Sequence, residues 1–190
     1  MWPPAWLRRL FREHALPGET SIPVRVRFVG RVASPNTATS PITGLTASMF
    51  EIALMDWETL TVRGSSLPDE RELDRFTMLG SARYGSSLVI QDAGGRSLLI
   101  DDFSGVSVVP LSPRPLVLDV PPPRDLTDAA QRSVHMLSYR EVRFREGDSV
   151  GVVATVCTGE VRVDGGGYRD TVTRTLVPVR GERLELQELL

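Results

Sequence analysis

The fold is decided by the stretch VRVRFVGRV at residues 24–32 and by the turns that follow it. Within this stretch, Val24, Val26 and Phe28 alternate with arginines. Alternation with a period of two is typical of a β-strand that has one face on a core and the other in water. The stretch therefore predicts a β-rich domain whose first strand begins here.

Further short strands are predicted along most of the remaining chain. They cover residues 47–56, 87–91, 96–101, 106–109, 116–120, 141–145, 149–158, 161–163, 170–179 and 183–189. Two of them are joined by DAGG at residues 92–95, which predicts a hairpin whose glycines take positive φ. Residues 57–80 have weak periodicity, and we predict a strand end, a long excursion and a helical turn there.

One internal helix is predicted between the strands. Asp125 stands at the position of an N-cap, and Leu126, Ala130, Val134 and Leu137 share one helical face over residues 126–137. Many short strands around one helix indicate a mainly β fold. We predict an OB-like Greek-key β-barrel with one inserted helix and an amphipathic N-terminal helix, and a β-sandwich is the alternative that the pattern leaves open.

Residues 1–18 are predicted to form the amphipathic N-terminal helix, and residues 19–190 a single β-barrel-like domain. Apolar and basic side chains fall on opposite sides of the helix, a composition typical of helices that lie in a membrane interface. The apolar side can instead pack on the barrel or on a protein partner, and this alternative stays open. The residues of this candidate membrane or partner face are Trp2, Trp6, Leu7, Leu10 and Phe11, with Arg8, Arg9 and Arg12.

The composition excludes several kinds of chemistry. The 190 residues include one cysteine, two histidines and no lysine. Without lysine, neither a Schiff base nor a P-loop phosphate site can form. The GGG turn at residues 165–167 also lacks the spacing of a calcium loop. We therefore predict no catalytic, cofactor-binding or metal-binding residues and no enzymatic activity.

Charge and hydropathy bear on the location of the protein. The net charge is −2 and the pI is about 5.8, which gives no overall attraction to nucleic acid or anionic lipid. No apolar run approaches the roughly 18 residues that span a bilayer, and no secretory signal is evident. We expect a cytoplasmic protein, with association to a membrane through the N-terminal helix as a hypothesis.

Cys157 and His135 are the one pair that suggests nucleophilic catalysis. Cys157 lies in an apolar strand and His135 lies near the end of the predicted helix, with no motif that brings them together. We interpret both as structural residues. A hydrolase would require the two side chains to lie within hydrogen-bonding distance.

The order of several short motifs resembles the GIDE-type domain, also called the "beside a membrane" domain. In that family a Gly-x-Val strand leads to a Pro-containing turn, an apolar strand, a later Asp-x-Gly hairpin and a Glu-Gly-Asp strand opening. The corresponding segments here are GRV at 30–32, SPITG at 40–44, FEI at 50–52, LVIQDAGGR at 88–96 and REGDSVGVV at 145–153.

The resemblance spans residues 24–158 and implies a non-catalytic interaction module. The chain departs from the family at Ala47 and Met49, where the family often has a cysteine and an aromatic residue, and it shows no flanking transmembrane helices. The best-known members add a RING domain and act as ubiquitin ligases. One cysteine and two histidines cannot form a RING that binds two zinc ions, so this activity does not carry over.

The SPITG segment is interpreted as a structural turn. Pro41 fixes φ and Gly44 permits a sharp reversal, so the segment sets the register of the strand that follows. A loop that contacts a ligand between barrel strands is the alternative.

We therefore predict a non-enzymatic binding or scaffolding module, peripheral to a membrane through its N-terminal helix. The expected partner is an unidentified protein or a membrane surface, and we expect no nucleic acid, small-molecule substrate or cofactor. The alternative is an OB-type protein that binds single-stranded nucleic acid, with Arg25, Arg27, Arg143 and Arg145 as its basic candidates. Against this alternative, no strand alternates basic and aromatic residues as a base-stacking surface would.

Overall fold

The computed structural model describes residues 16–63, 70–111, 120–163 and 171–189. The strands are β1 (Val24–Val32), β2 (Ala38–Thr39), β3 (Thr46–Ala47), β4 (Met49–Arg63), β5 (Glu70–Tyr84), β6 (Leu88–Gln91), β7 (Ser97–Ile100), β8 (Val106–Val109), β9 (Met136–Phe144), β10 (Ser149–Val163), β11 (Thr171–Pro178) and β12 (Leu184–Glu188). A 3-10 turn (Arg124–Leu126) leads into the one-turn helix α1 (Thr127–Ala130).

Five of these strands close into a barrel. β1 pairs with β6, β6 with β7, β7 with β11, β11 with β10, and β10 again with β1. These pairs are antiparallel except that of β7 with β11, which is parallel at Leu98 and Leu176. β12 and β8 extend the sheet from β10. The arrangement is a five-stranded Greek-key barrel of the OB type, so the predicted mainly β, OB-like fold is confirmed.

Apolar side chains that point inward from the strands hold the barrel closed. On β1, Val26, Phe28 and Val32 are buried, as the alternation of the sequence predicts. Gly30 lies where β1 meets β6, and a Cβ atom at this position would lie 2.4 Å from Cγ2 of Ile90. The close approach of these two strands therefore requires glycine.

A second sheet is built from segments inserted at two places in the barrel: β4 and β5 lie between its first and second strands, and β9 lies between its third and fourth. In this sheet β4 lies between β5 and β9, and both pairs are antiparallel. One face packs on the 3-10 turn and α1. The buried residues of this contact are Ile52, Leu54, Leu126, Ala129 and Tyr139. The described residues therefore form one apolar cluster inside the barrel and one beneath the short helix, and a small third cluster joins Leu189 to Val29.

The segment at residues 57–80 differs from its prediction. β4 and β5 are each 15 residues long and pair from Phe50 with Tyr84 outward to Arg63 with Glu70. The expected excursion and helical turn are instead the two arms of a long hairpin.

The predicted helix over residues 126–137 is wrong beyond its first turn. α1 ends at Ala130, and β9 begins at Met136 and pairs with β4. Asp56 of β4 accepts a hydrogen bond from Oγ of Ser133 at 2.5 Å, which draws the chain onto the edge of the sheet. Pairing with an existing strand outweighs the apolar spacing that favours a helix.

Asp125 does not cap the helix, since neither the 3-10 turn nor α1 has a side-chain cap hydrogen bond. Burial, together with the nearby carboxylate of Asp125, raises the pKa of Tyr84 to about 12. The 3-10 turn that carries Asp125 lies against β5.

Three predicted features fall wholly or almost wholly outside the described residues: the amphipathic N-terminal helix, the strand at 116–120 and the glycine turn at 165–167. The described end of the first, residues 16–18, is not helical. The division of the chain into residues 1–18 and 19–190 stays a prediction. Within the described part of the chain, no helix is both long enough and apolar enough to cross a membrane.

Candidate functional site

The outer surface of β1 is basic, and the outer surfaces of β6 and β7 beside it are neutral. Because alternate residues of these strands are buried in the barrel core, the residues between them point outward. The outward positions, which we call the β1 face, are Arg25, Arg27, Val29, Arg31, Val89, Gln91, Ser97 and Leu99. They include three arginines and no carboxylate.

A polar row crosses the β1 face at right angles to the strands. The register places Arg31 opposite Gln91, and Gln91 opposite Ser97. Nε2 of Gln91 donates to Oγ of Ser97 at 3.3 Å, and Oγ1 of Thr175 on β11 donates to the carbonyl oxygen of Ser97 at 3.2 Å. A shallow pocket of about 240 Å³ includes Arg31 and Gln91 in its lining. The row therefore offers guanidinium, amide and hydroxyl donors on neighbouring strands.

The segment before β1, residues 16–22, runs from the β6–β7 turn to β10, and we call it the strap. The side chain of Leu16 is fully buried in the barrel core. Oδ2 of Asp92 accepts the backbone N–H of Leu16 at 2.8 Å, and the guanidinium of Arg96 donates to the carbonyl oxygen of the same residue. The β6–β7 turn thus holds both backbone polar groups of Leu16.

A pocket of about 440 Å³ lies between the strap and the strands β7, β10 and β11, and we call it the strap pocket. The backbone N–H of Thr20 donates to Oγ1 of Thr158 at 2.7 Å, and the N–H of Thr158 donates to the carbonyl oxygen of Thr20 at 2.8 Å. These bonds fix the strap against β10. The polar residues of the lining are Arg96, Ser97, Thr158, Arg174 and Thr175, with Glu19 as its one acid.

Arg174 of the strap pocket is held by two weak ion pairs. Its Nη1 lies 3.6 Å from Oε2 of Glu19, and its Nη2 lies 3.6 Å from Oε1 of Glu160. All three side chains are more than half exposed, so water and salt screen both pairs. A ligand with a stronger anionic group can therefore displace either carboxylate.

A larger groove of about 680 Å³ lies between the loop after β7 and the turn before β12. Cys157 contributes to its floor, and Val177 lies opposite Cys157 in the strand pairing. The charges of the lining are mixed: Asp101, Asp102, Glu160 and Glu182 against Arg180 and Arg183. The residues that the structure describes form no cluster of three or more side chains able to hold a metal ion.

Cys157 and His135 are not brought together. Cys157 belongs to β10 of the barrel, whereas His135 lies just before β9 in the second sheet. Nδ1 of His135 lies 2.9 Å from Oδ2 of Asp56, and its Nε2 lies 3.9 Å from Oε1 of Glu58. The hydrolase hypothesis therefore lacks the geometry that it requires.

The group around Asp56 is a structural network. Ser133 donates its hydroxyl to Asp56, so Ser133 and His135 bond to the same carboxylate and do not form a serine–histidine–aspartate chain. The hydrogen bond with Asp56 raises the pKa of His135, and hydrogen bonds from His135 and Ser133 lower the pKa of Asp56. This network ties the start of β9 to β4.

A buried carboxylate joins the second sheet to the barrel. Oε2 of Glu51, on β4, accepts from Nε of Arg83 at 2.9 Å, and Nη1 of Arg83 donates to the carbonyl oxygen of Phe103 at 3.1 Å. Burial raises the pKa of Glu51, although the charges of Arg83 and Arg140 act in the opposite direction. Arg83 therefore links the carboxylate of Glu51 in the second sheet to the loop that follows β7.

The SPITG turn is fastened to β9 through Glu141. Oγ of Ser40 accepts the N–H groups of Ile42 and Thr43 at 3.1 Å each, and donates to Oε2 of Glu141 at 2.5 Å. Oγ1 of Thr43 donates to the same carboxylate at 3.0 Å. Gly44 has a φ of 69°. These bonds give the turn a structural role, which is the role that we inferred for it from the sequence.

The structure separates the four basic candidates of the sequence. Arg25 and Arg27 lie on the β1 face, whereas Arg143 lies on β9 of the second sheet. Arg145 is engaged by Asp148, with Nε of the arginine 3.4 Å from Oδ2. The candidate face formed by Trp2, Trp6, Leu7, Leu10, Phe11, Arg8, Arg9 and Arg12 lies outside the described residues.

Sequence reasoning missed the strap pocket. Arg96 follows the DAGG turn directly and Arg174 lies within a predicted strand, but nothing in the sequence brings them to one cavity. Gln91 and Ser97, which flank the same turn, also carry no motif. The one sequence feature that could have indicated the site is the pair Gln91 and Ser97 on either side of this turn. An OB-type barrel would place these two residues on its second and third strands.

No family of known proteins and no curated protein matches the chain. Among solved structures it is similar to one described as "Plasmodium falciparum SSB complex with ssDNA". That match has a TM-score of 0.25 and 10% sequence identity, and it covers 92% of this chain and 99% of the other.

The prediction of a membrane-peripheral scaffold that has no nucleic-acid partner is wrong. The similar solved structure is a complex with single-stranded DNA, where we expected a protein or a membrane surface as the partner. The physical reason for the error is that the net charge of −2 averages over the chain, whereas three arginines lie together on the β1 face. A local surface, and not the overall charge, decides attraction to a polyanion.

Proposed function

We propose that this chain binds single-stranded nucleic acid, which lies across the β1 face and is held by its phosphate groups. The observation that carries the proposal is that β1, the first strand of an OB-type barrel, presents three arginines on its outer face. Barrels of this type use the face of their second and third strands, with neighbouring loops, to bind oligonucleotides. Here those strands are β6 and β7.

The spacing of the arginines suits a linear polyanion. Arg25 and Arg27 are two residues apart on one strand, which separates them by about 6.6 Å. Arg31 lies further along the same strand, opposite Gln91. A chain of phosphates can therefore follow β1 while the amide and hydroxyl groups of the polar row donate hydrogen bonds beside it.

The β1 face has no aromatic side chain, and this predicts how sequence enters recognition. Proteins that stack bases on tryptophan, tyrosine or phenylalanine gain affinity from each base. Without such side chains on this face, binding energy comes from phosphate contacts, which carry no sequence information. We therefore expect weak dependence on base sequence and strong dependence on salt.

The experiment measures the affinity for fluorescein-labelled thymidine and uridine homopolymers by anisotropy, over a series of salt concentrations. The test variant combines Arg25→Gln, Arg27→Gln and Arg31→Gln. Each phosphate contact contributes about 0.7 to the magnitude of the slope of log affinity against log salt. The variant should therefore reduce that magnitude by roughly 2.

The matched control removes three exposed arginines elsewhere, with Arg75→Gln, Arg124→Gln and Arg180→Gln, and so changes the net charge equally. The control should keep the slope of the unaltered protein. Equal slopes for the two triple variants, or no binding by the unaltered protein at low salt, would overturn the proposal. Urea denaturation of each variant verifies that it is folded.

A further inference from the structure

The strap pocket is a cavity that adjoins the β1 face at Ser97. Ser97 belongs to both, because its hydroxyl accepts from Gln91 on the face and the residue also lines the pocket. A nucleic-acid strand that crosses β6 and β7 toward β11 therefore reaches this cavity. Its volume of about 440 Å³ falls in the range of roughly 300–1,000 Å³ that is typical of pockets for small ligands.

The lining of the pocket is rich in donors suited to an anion. Arg96 uses one terminal nitrogen to bond the carbonyl oxygen of Leu16, which orients the guanidinium and leaves its other N–H groups available. Oγ1 of Thr158 accepts from the strap, and no described residue accepts its proton. A guanidinium of fixed orientation beside a hydroxyl donor matches the acceptor geometry of a phosphate group.

Glu19 occupies the place of an anion in this pocket. Its carboxylate lies 3.6 Å from Nη1 of Arg174 and is 71% exposed, so the pair is weak. It is also the one acid of the lining, and it belongs to the strap. An incoming phosphate competes with this carboxylate for the same guanidinium.

We propose that the strap pocket binds a phosphate group of the nucleic-acid strand through Arg96 and Arg174, and that Glu19 competes with that phosphate. This inference rests on the proposed function of the β1 face. It adds a phosphate subsite at the end of the barrel and gives the strap a regulatory role. Loss of Arg174 and loss of Glu19 then have opposite effects on affinity.

The test compares Arg174→Gln and Glu19→Gln in the full chain, with an unphosphorylated thymidine homopolymer as the probe. Arg174→Gln should weaken binding and lower the salt slope by about 0.7, the share of one phosphate contact. Glu19→Gln should strengthen binding by roughly 1.5- to 5-fold, because this is the change in affinity that corresponds to the free energy of one exposed ion pair. Glu182→Gln removes an exposed carboxylate from the larger groove as a matched control and should affect binding less than Glu19→Gln.

If Arg174→Gln and Glu19→Gln both bind like the unaltered protein while the triple variant of the β1 face binds more weakly, the inference is wrong and the proposed function stands. If the unaltered protein binds no oligonucleotide, the proposed function is wrong. Titration with inorganic pyrophosphate then tests separately whether the strap pocket binds phosphate. Shifts of the amide signals of Ser97, Thr158 and Thr175 on its addition, absent in Arg174→Gln, would then support a phosphate site. The absence of such shifts would overturn it.

Discussion

Oδ2 of Asp92 accepts the backbone N–H of Leu16 at 2.8 Å, across 76 positions of sequence, in a buried site. Oδ1 of the same carboxylate accepts the N–H groups of Gly94 and Arg96 at 2.9 and 2.8 Å. One side chain thus shapes the β6–β7 turn with one oxygen and holds the strap with the other. The turn and the strap are therefore mechanically linked at the edge of the strap pocket.

We predict that Asp92→Asn loosens the strap while the turn survives. Asparagine keeps one oxygen for the turn but places an NH2 group toward Leu16, whose buried N–H loses its acceptor. A buried donor without a partner costs about 1–3 kcal/mol, so the free energy of unfolding should fall by that amount. Asp92→Ala removes both functions and should cost more. Denaturation in urea gives the free energies, and hydrogen exchange of the Leu16 amide reports the local opening.

The matched control is Asp101→Asn, which changes an exposed carboxylate beyond the far end of β7. Surface changes of this kind usually stay within about 0.5 kcal/mol. Unchanged exchange of the Leu16 amide in Asp92→Asn would show that this bond does not secure the strap.

Gly30→Ala should destabilise the barrel at the junction of β1 and β6. The added Cβ atom would lie 2.4 Å from Cγ2 of Ile90 and 2.7 Å from the carbonyl oxygen of Gln91, so backbone must move and not only a side chain. Forcing extra atoms into a packed site costs about 1–3 kcal/mol, and we expect a loss at the upper end of this range in urea denaturation.

Gly18→Ala provides the control for that substitution. A Cβ atom at Gly18 meets nothing within 4 Å, so no steric loss is expected. Similar free energies of unfolding for the two alanine variants would contradict the argument that strand approach selects glycine at position 30.

The barrel was predictable because each of its strands buries one face. Val26 and Phe28 point into the core, so the period of two appears directly in the sequence. The outer arms of the β4–β5 hairpin lack this signal. There Trp57 stacks on Phe76 with ring centroids 6.1 Å apart, and both side chains are only partly buried. Because neither face of the hairpin is fully buried at this point, periodicity does not identify the strands.

The strap pocket was unpredictable for a different reason. Glu19 and Arg174 meet only because the chain closes a barrel between them, and each is an ordinary exposed charge when read in its own segment. The basic β1 face could be predicted in part, since Arg25 and Arg27 alternate with apolar residues on one predicted strand. What the sequence did not provide is the neighbouring strand, because the long β4–β5 hairpin separates Arg31 from Gln91 along the chain.

The bond between Ser40 and Glu141 should show strong energetic coupling. The carboxylate of Glu141 is 5% exposed and accepts from both hydroxyls of the SPITG turn, those of Ser40 and Thr43. Residues that share a hydrogen-bond network couple by about 0.5–3 kcal/mol. A double-mutant cycle of Ser40→Ala with Glu141→Gln, followed by urea denaturation, measures this energy. A cycle of the exposed Ser86→Ala with Glu141→Gln should give none, and equal values in the two cycles would show that Glu141 does not fasten the turn.

The network at Asp56 should make the stability of the protein depend on pH. The hydrogen bond with Asp56 raises the pKa of His135 above its ordinary 6.5, so the folded state favours the protonated imidazole. The stability that this ring contributes is fully present below pH 6.5 and is lost as the pH rises through the raised pKa. Asp56 has a lowered pKa, so its contribution is present above its ordinary 3.8 and is lost as the pH falls through the lowered value.

Asp56→Asn should therefore return the pKa of His135 toward 6.5, measured by NMR titration of the imidazole protons. Glu58→Gln is the matched control, because its carboxylate lies 3.9 Å from Nε2 and is the weakest of the causes that raise this pKa. It should lower the pKa of His135 by less than Asp56→Asn does. An unchanged titration of His135 in Asp56→Asn would mean that the imidazole does not pair with β4 in solution, and the start of β9 would then need another anchor.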